Sequence, residues 1–244
     1  MMRVRTSGPV SVSGSRYEQQ DAAAIHATPR FAVIVVADGV SSSPDAGACA
    51  QVAARSACDH LAVFPAHRRD PAPFLHSTAD AVTQDLRAAV TAGRVHERSQ
   101  STLAAAVVFR GFCWALSLGD TRVALVRDGQ PIESTTRHSA ASAHAGGLGP
   151  RSTSPALTRW ASPAGDGGGV TVQCWRLVPG DAVLVTSDGV DDVLPPWRAA
   201  QVIATAHRDE CDPADMVLAE IDAVGGAVDN ATIAVLSIPT ERSR

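Results

Sequence analysis

Residues 31 to 36, Phe-Ala-Val-Ile-Val-Val, are an unbroken apolar run rich in β-branched side chains, followed by Ala37-Asp38-Gly39. Six apolar residues without polar alternation read as a strand buried on both faces. A chain with such a strand has to cover one sheet from two sides. The strand also ends on a carboxylate and a flexible backbone carbonyl, the oxygen ligands that hard cations such as Mg²⁺ and Mn²⁺ take. Asp-Gly turns ordinary hairpins too, so the pair is informative only in company.

Composition permits a core of that kind. The chain has 244 residues, 45% of them hydrophobic, enough for a sizeable packed interior and for one domain spanning 1–244. Net charge is −4 with scattered basic residues, which argues against a nucleic-acid footprint. The five cysteines, Cys49, Cys58, Cys113, Cys174 and Cys211, are odd in number and contain no C-x-x-C pair. They read as reduced thiols, mostly in apolar surroundings, with neither a disulfide framework nor a zinc site. The start, Met1-Met2-Arg3-Val4-Arg5, has no apolar leader segment. No run approaches the roughly 20 apolar residues that span a bilayer. A soluble, cytoplasmic protein without membrane partners is the expectation.

Along the chain, Val10 to Gly14 alternates like a half-buried strand, and a polar stretch, Ser15 to Asp21, leads into a small-residue strand over 22–27. Beyond Asp38, turn formers from Val40 to Gly47 precede a helix with a small-residue face over 48–61. Leu75, Ala79, Val82, Leu86 and Ala89 predict a second helix ending near Gly93. Strands over 102–109 and 112–118 flank Arg110-Gly111 as a hairpin, and 123–127 leads through Asp128-Gly129 to Pro131-Ile132-Glu133. From Ser139 to Gly169 small and turn-forming residues dominate, which reads as a mobile surface insertion. Strands over 170–177 and 182–186 follow, then helices over 196–207 and 212–224, the second with Asp212 as N-cap and Gly225 as stop. Asp229-Asn230 opens the last strand, 231–238.

One arrangement recurs. Asp21, Asp38, Asp188 and Asp229 each stand at the start or end of a core strand, two of them beside Gly and one beside Asn. Carboxylates gathered at strand tips repel one another unless cations sit among them. Each position taken singly is equally well turn chemistry; four together favour a metal centre.

The blocks that carry these residues resemble a known family. Arg16…Asp21, Val-Ala-Asp38-Gly39-Val, Thr102-Leu-Ala-Ala, Gly119-Asp120-Thr121-Arg122, Leu177-Val-Pro-Gly180-Asp181, Thr-Ser187-Asp188-Gly189-Val and Asp229-Asn230-Ala-Thr232 occur in the order found in PP2C-type, metal-dependent serine/threonine protein phosphatases (the PPM family). The resemblance runs from about residue 12 to 238. It implies an α+β fold, a four-layer αββα sandwich with two central antiparallel β-sheets and a two-metal site at one end of them.

Carried over by position, the resemblance implies that Asp38 bridges two Mn²⁺ or Mg²⁺ ions and that the Gly39 carbonyl binds one of them. It implies that Asp188 and Asp229 bind the other, and that Asp21 is a ligand directly or through water. Arg16 matches the arginine that grips the substrate phosphate in a bidentate fork. Asp120 and Asp188 match a pair that holds a third, weaker metal in bacterial members, although for Asp120 a turn carboxylate capping its own loop is an equal reading. The implied reaction is hydrolysis of phosphoserine or phosphothreonine in proteins by a metal-activated water, opposing a Ser/Thr kinase.

Departures from the family pattern are specific. Val40-Ser41-Ser42-Ser43 stands where many members carry a histidine that protonates the leaving group. Gln19 and Gln20 replace Asn and Glu, and Arg137-His138-Ser139 replaces Asp-His-Ser. His138 reads as a surface or core histidine, not a catalyst. The insertion at about 139–169 occupies the place of the family's flap. Two other readings stay open on sequence: a catalytically weak, phosphoprotein-binding scaffold, and a phosphatase of a small phosphate ester or of an anti-sigma-factor pathway.

Overall fold

The structure, a computed structural model, describes residues 3–64, 70–145 and 156–240. Met1-Met2, most of the Pro65–Pro73 connection and the middle of the Ser139–Gly169 insertion lie outside the described residues.

Strand β3 (Phe31–Asp38) explains its own composition. It pairs antiparallel with β2 (Asp21–Thr28) on one side and β4 (Leu103–Phe109) on the other, and the sheet continues through β5 (Phe112–Leu118) to β8 (Thr171–Arg176). Val33, Val35 and Ala37 point to one face of that sheet. There they pack with Cys49, Ala50, Ala53, Ala57 and Leu61 of α1 (Ala46–Ala62) and with Val82 and Leu86 of α3 (Thr78–Thr91). Ala32, Ile34 and Val36 point to the other face, against a second sheet. With alternate side chains entering two different cores, every residue of the run has to be apolar. The small side chains of α1 let its backbone lie close to the sheet.

The second sheet has the order β1 (Arg5–Val12), β10 (Ala231–Ser237), β9 (Ala182–Thr186), β6 (Arg122–Arg127), β7 (Gln130–Ser134), and every pair is antiparallel. Val123, Leu125, Val183, Val185, Ala234 and Leu236 meet the first sheet. Leu184, Ile233 and Val235 face outward onto α6 (Pro196–Asp209) and α7 (Pro213–Ala223), where Ile203, Val217 and Ile221 cover them. The result is helix, sheet, sheet, helix: the four-layer αββα sandwich expected. Among the described residues no helix is long and apolar enough to cross a membrane.

Several local expectations shift. The first strand begins at Arg5 rather than Val10. A register shift between Ser7 and Val10 accommodates Gly8-Pro9 as a bulge, and the bulge hides the alternation that marks a strand. The second helix is two, α2 (Ala72–His76) and α3, because Ser77 Oγ bonds back to the Phe74 carbonyl (2.8 Å) and breaks the run. The strand ending in Ser187-Asp188-Gly189 does not turn back but enters a one-turn helix, α5 (Asp188–Asp191). A further short helix, α4 (Ala140–Ala145), opens the insertion. Asp212 caps α7 as expected, accepting from the Ala214 and Asp215 amides. Cys49, Cys58 and Cys113 are buried, whereas Cys174 and Cys211 are exposed; burial pushes the Cys49 thiol up to about 12, which leaves it inert.

Candidate metal centre

Strand ends from both sheets deliver the acidic residues to one end of the sandwich. Asp21 opens β2 directly opposite Asp38, which closes β3. Asp120 lies in the turn between β5 and β6, Asp188 follows β9, and Asp229 precedes β10. Carboxylate oxygens of Asp38, Asp120 and Asp188 all lie within 4.8 Å of one another. Asp21 and Asp229 stand outside that trio but act on it: both charges raise Asp188, and the Asp21 charge raises Asp38.

The backbone beneath the trio is fixed by named contacts. Thr102 clamps Asp38 twice, its amide donating to the Asp38 carbonyl (2.7 Å) and its Oγ1 accepting from the Asp38 amide (3.1 Å). Ser101 Oγ donates to the same carbonyl. Gly39 packs so closely on the first turn of α1 that a Cβ there would stand 2.3 Å from the Ala46 carbonyl oxygen. Gly189 is confined in the same way, 2.1 Å from the Asn230 carbonyl oxygen. Both Asp-Gly pairs are therefore close-approach sites; neither Gly39 nor Gly189 is among the glycines with positive φ.

His138 holds the turn that carries Asp120. Its Nδ1 accepts from the Gly119 amide (3.1 Å), its own amide donates to the Gly119 carbonyl (2.7 Å), and Nε2 faces Thr171 Oγ1 (3.4 Å). Burial, with help from the Arg159 charge, pushes the imidazole down to about 4, so it is neutral with the proton on Nε2. Of the two expected placements, surface or core, it takes the core one, and it positions a candidate ligand.

Electrostatics show what the cluster lacks. Burial drives Asp38 well above the ordinary carboxylate range, reinforced by Asp21, Asp188 and Asp120. Asp188 is pushed up to about 7, first by burial and then by Asp120, Asp192, Asp229 and Asp21. Burial lifts Asp21 to about 6, although the Thr232 and Ser187 hydroxyls oppose the rise, and it raises Asp120 as well. Asp21 Oδ2 accepts from the buried Ser187 Oγ (2.7 Å), but Oδ1 is buried without an ordinary donor. An orphaned oxygen beside an all-oxygen, like-charged donor set fits hard divalent cations.

Arg16 stands at the mouth. Its Nη2 pairs with Asp229 Oδ2 at 2.6 Å, and both side chains are more than one-third exposed. Asn230 ties this region together, accepting from the Gln20 amide and donating to the Ser13 and Glu18 carbonyls. Gln19 and Gln20 point elsewhere, to Ser11, the Asp21 amide and Ser41. On the far side, Asp191 binds both Arg122 and Arg137. The later part of the insertion lies against the same framework. Ala161 and Ser101 exchange backbone hydrogen bonds, and Arg87 Nε of α3 donates to the Pro163 carbonyl (2.8 Å).

Reading the sequence alone missed Ser187, Asn230 and Asp191 as parts of the site. Ser187 and Asn230 each adjoin a recognised Asp, which was the available signal. Asp191 lies three residues after Asp188, one helical turn on, a spacing visible only once α5 is known.

Comparison with known proteins agrees with this architecture. The family model described as Protein phosphatase 2C matches residues 13–219. No curated protein matches the chain in sequence. Among solved structures, the Mycobacterium tuberculosis serine/threonine phosphatase PstP/Ppp superposes with a TM-score of 0.77 at 19% identity, covering 98% of this chain and 100% of that one. The Staphylococcus aureus serine/threonine phosphatase Stp1 gives 0.79 at 17% identity, covering 98% and 96%. A PstP catalytic domain described in complex with two manganese ions gives 0.76 at 20% identity, covering 98% and 100%. These structural likenesses concern the fold; the family match extends over most of the chain. With its half-buried acidic cluster suited to divalent metal, the chain belongs to the protein phosphatase 2C family and is a metal-dependent protein serine/threonine phosphatase.

Proposed function

We propose that this chain hydrolyses phosphoserine and phosphothreonine in proteins, with Asp38, Asp120 and Asp188 at the centre of its metal site. The observation that carries the reading is the meeting of those three carboxylates within 4.8 Å. Asp38, Asp188 and Asp229, with the Gly39 carbonyl, would hold Mn²⁺ or Mg²⁺ ions and supply them with hard oxygen donors. Asp21 would serve directly or through water, and Asp120 with Asp188 would hold a third, weaker ion. A PstP structure that contains two manganese ions supports the count and the choice of metal. When bound, the ions supply positive charge that acidifies water for in-line attack on phosphorus and offsets charge on the phosphoryl oxygens.

The chain's own groups do the rest. Arg16, oriented by Asp229, directs its remaining guanidinium donors to the phosphoryl oxygens. Ser187 fixes the Asp21 carboxylate, and Thr102 fixes the backbone under Asp38. The Val40–Ser43 loop offers no histidine, so the departing alkoxide takes its proton from water. We read residues 1–244 as one domain acting in the cytoplasm against a Ser/Thr kinase, with the 139–169 stretch as a flap-like insertion beside the site.

The test is hydrolysis of a phosphothreonine peptide and of p-nitrophenyl phosphate with and without Mn²⁺, for wild type and Asp188→Ala. Metal-dependent turnover reduced by about 100-fold or more in the variant is expected, by analogy with the loss of one charge-stabilising group. Equal turnover in the two proteins, or turnover indifferent to metal, would overturn the reading.

A further inference from the structure

Two loops meet at the mouth of the site, and their contacts are unusually close. A Cβ on Gly14 would stand 2.3 Å from the Asp229 carbonyl oxygen. The Ser15 amide donates to the Val228 carbonyl (3.2 Å), and Arg16 pairs with Asp229. Residues 14–17 and 228–229 therefore form one stitched rim, with the proposed phosphate grip in its middle.

Each member of the Arg16–Asp229 pair has an apolar neighbour in sequence that is thrown outward. Tyr17, the chain's single tyrosine, is 107% exposed, and Val228 is 76% exposed. Among the described residues these are the two most exposed large hydrophobic side chains. Scattered apolar residues on a surface need no explanation. Two such residues flanking one ion pair, at the place where substrate has to arrive, are a different matter.

Chain geometry identifies what arrives there. A phosphorylated side chain that reaches Arg16 brings its own backbone across the rim. An extended peptide advances only about 3.3–3.6 Å per residue, so the residues one to three positions from the phosphorylated one lie over Tyr17 and Val228. Tyrosine suits such a place because it offers a large, stiff contact area at low entropic cost.

We propose that Tyr17 and Val228 form an apolar rim that selects phosphoserine or phosphothreonine segments with an apolar residue beside the phosphorylated one. The proposal rests on the reading of Arg16 as the phosphate grip. Neither side chain is packed in the fold, so replacing either removes no core contact.

The experiment compares steady-state kinetics in Mn²⁺ for wild type, Tyr17→Ser and Val228→Ser. Three substrates are used: a phosphothreonine peptide flanked by leucines, the same peptide flanked by glycines, and N-acetyl-phosphothreonine amide, which has no flank. Wild type is expected to prefer the leucine-flanked peptide. Tyr17→Ser should lose about tenfold in kcat/KM on it, through KM, and Val228→Ser should lose less. Both variants should stay within twofold of wild type on the other two substrates. An unchanged preference in Tyr17→Ser, or an equal fall on all three substrates, would overturn the rim. Failure of wild type to hydrolyse the acetyl amide in a metal-dependent way would overturn the reading of the site itself, and the rim with it.

Discussion

Asp21 and Asp38 stand directly opposite each other on neighbouring antiparallel strands, the last registered pair of a ladder that starts at Thr28 and Phe31. Side chains in such pairs are about 4.5–5.5 Å apart at Cβ, and like charges there are destabilising. Both carboxylates are pushed upward in pKa, chiefly by burial. The sheet thus brings together two groups that oppose folding until something positive is placed between them.

Asp38→Asn should therefore stabilise the metal-free protein. Removing one buried like charge is worth about 1–2 kcal/mol at an intermediate effective dielectric, or roughly 3–6 °C in Tm for a chain of this size. In saturating Mn²⁺ the order should invert, because wild type gains about 2.7 kcal/mol at a hundredfold excess over Kd and the variant gains little. Thermal melts in EDTA and in Mn²⁺ check both signs. A variant less stable than wild type in EDTA would show that the carboxylates are not in conflict.

Gly39→Ala tests how the backbone sets the site. The added methyl would meet the Ala46 carbonyl oxygen at 2.3 Å, a backbone atom that cannot swing aside. Overpacking of this kind costs about 1–3 kcal/mol. The relief available is a shift of β3 away from α1, which would carry Asp38 with it. Mn²⁺ affinity measured by calorimetry should fall along with stability. Lost stability with unchanged affinity would separate Gly39 from the site.

Arg16→Lys keeps the charge but removes the planar fork. Hydrogen bonds to charged groups contribute about 1.5–3 kcal/mol each, so KM for a phosphopeptide should rise about tenfold or more with kcat nearly unchanged. Initial-rate kinetics in Mn²⁺ separate the two parameters. A fall in kcat alone would place Arg16 elsewhere in the reaction.

His138 makes a prediction about pH. Its folded-state pKa, about 4, lies below the ordinary 6.5, so the folded chain resists protonating it. Its contribution to stability is full above pH 6.5 and is lost as pH falls toward 4. Protonation would also turn Nδ1 into a donor facing the Gly119 amide. Replacing it by glutamine, which can accept a hydrogen bond but does not titrate, should flatten that part of the profile. Urea midpoints from pH 7 to pH 4 for wild type and His138→Gln check this. Parallel profiles would show that His138 titrates normally.

Much of this architecture was legible in the residues. The six-residue apolar run required a strand with a core on each side, and the alternation of Val33, Val35 and Ala37 with Ala32, Ile34 and Val36 supplies both cores. The ordered motif blocks named the family. What could not be read was convergence. Asp120, open in sequence to reading as a turn carboxylate, meets Asp38 and Asp188 only because β6 and β9 stack over β3 and β4. The supports were hidden for the same reason: Ser187 reaches Asp21 across 166 positions in the chain, and Thr102 reaches Asp38 across 64. Local patterns cannot encode such contacts. The first strand and the break at Ser77 were obscured by backbone detail, a bulge in one case and a hydroxyl bonded to its own helix in the other.

The most direct test of the central claim is anomalous diffraction at the manganese edge from crystals equilibrated with Mn²⁺. The account predicts strong peaks within coordinating distance of the Asp38 and Asp188 carboxylates, with a weaker one between Asp120 and Asp188. Saturated crystals with no peak among Asp38, Asp120 and Asp188 would contradict it.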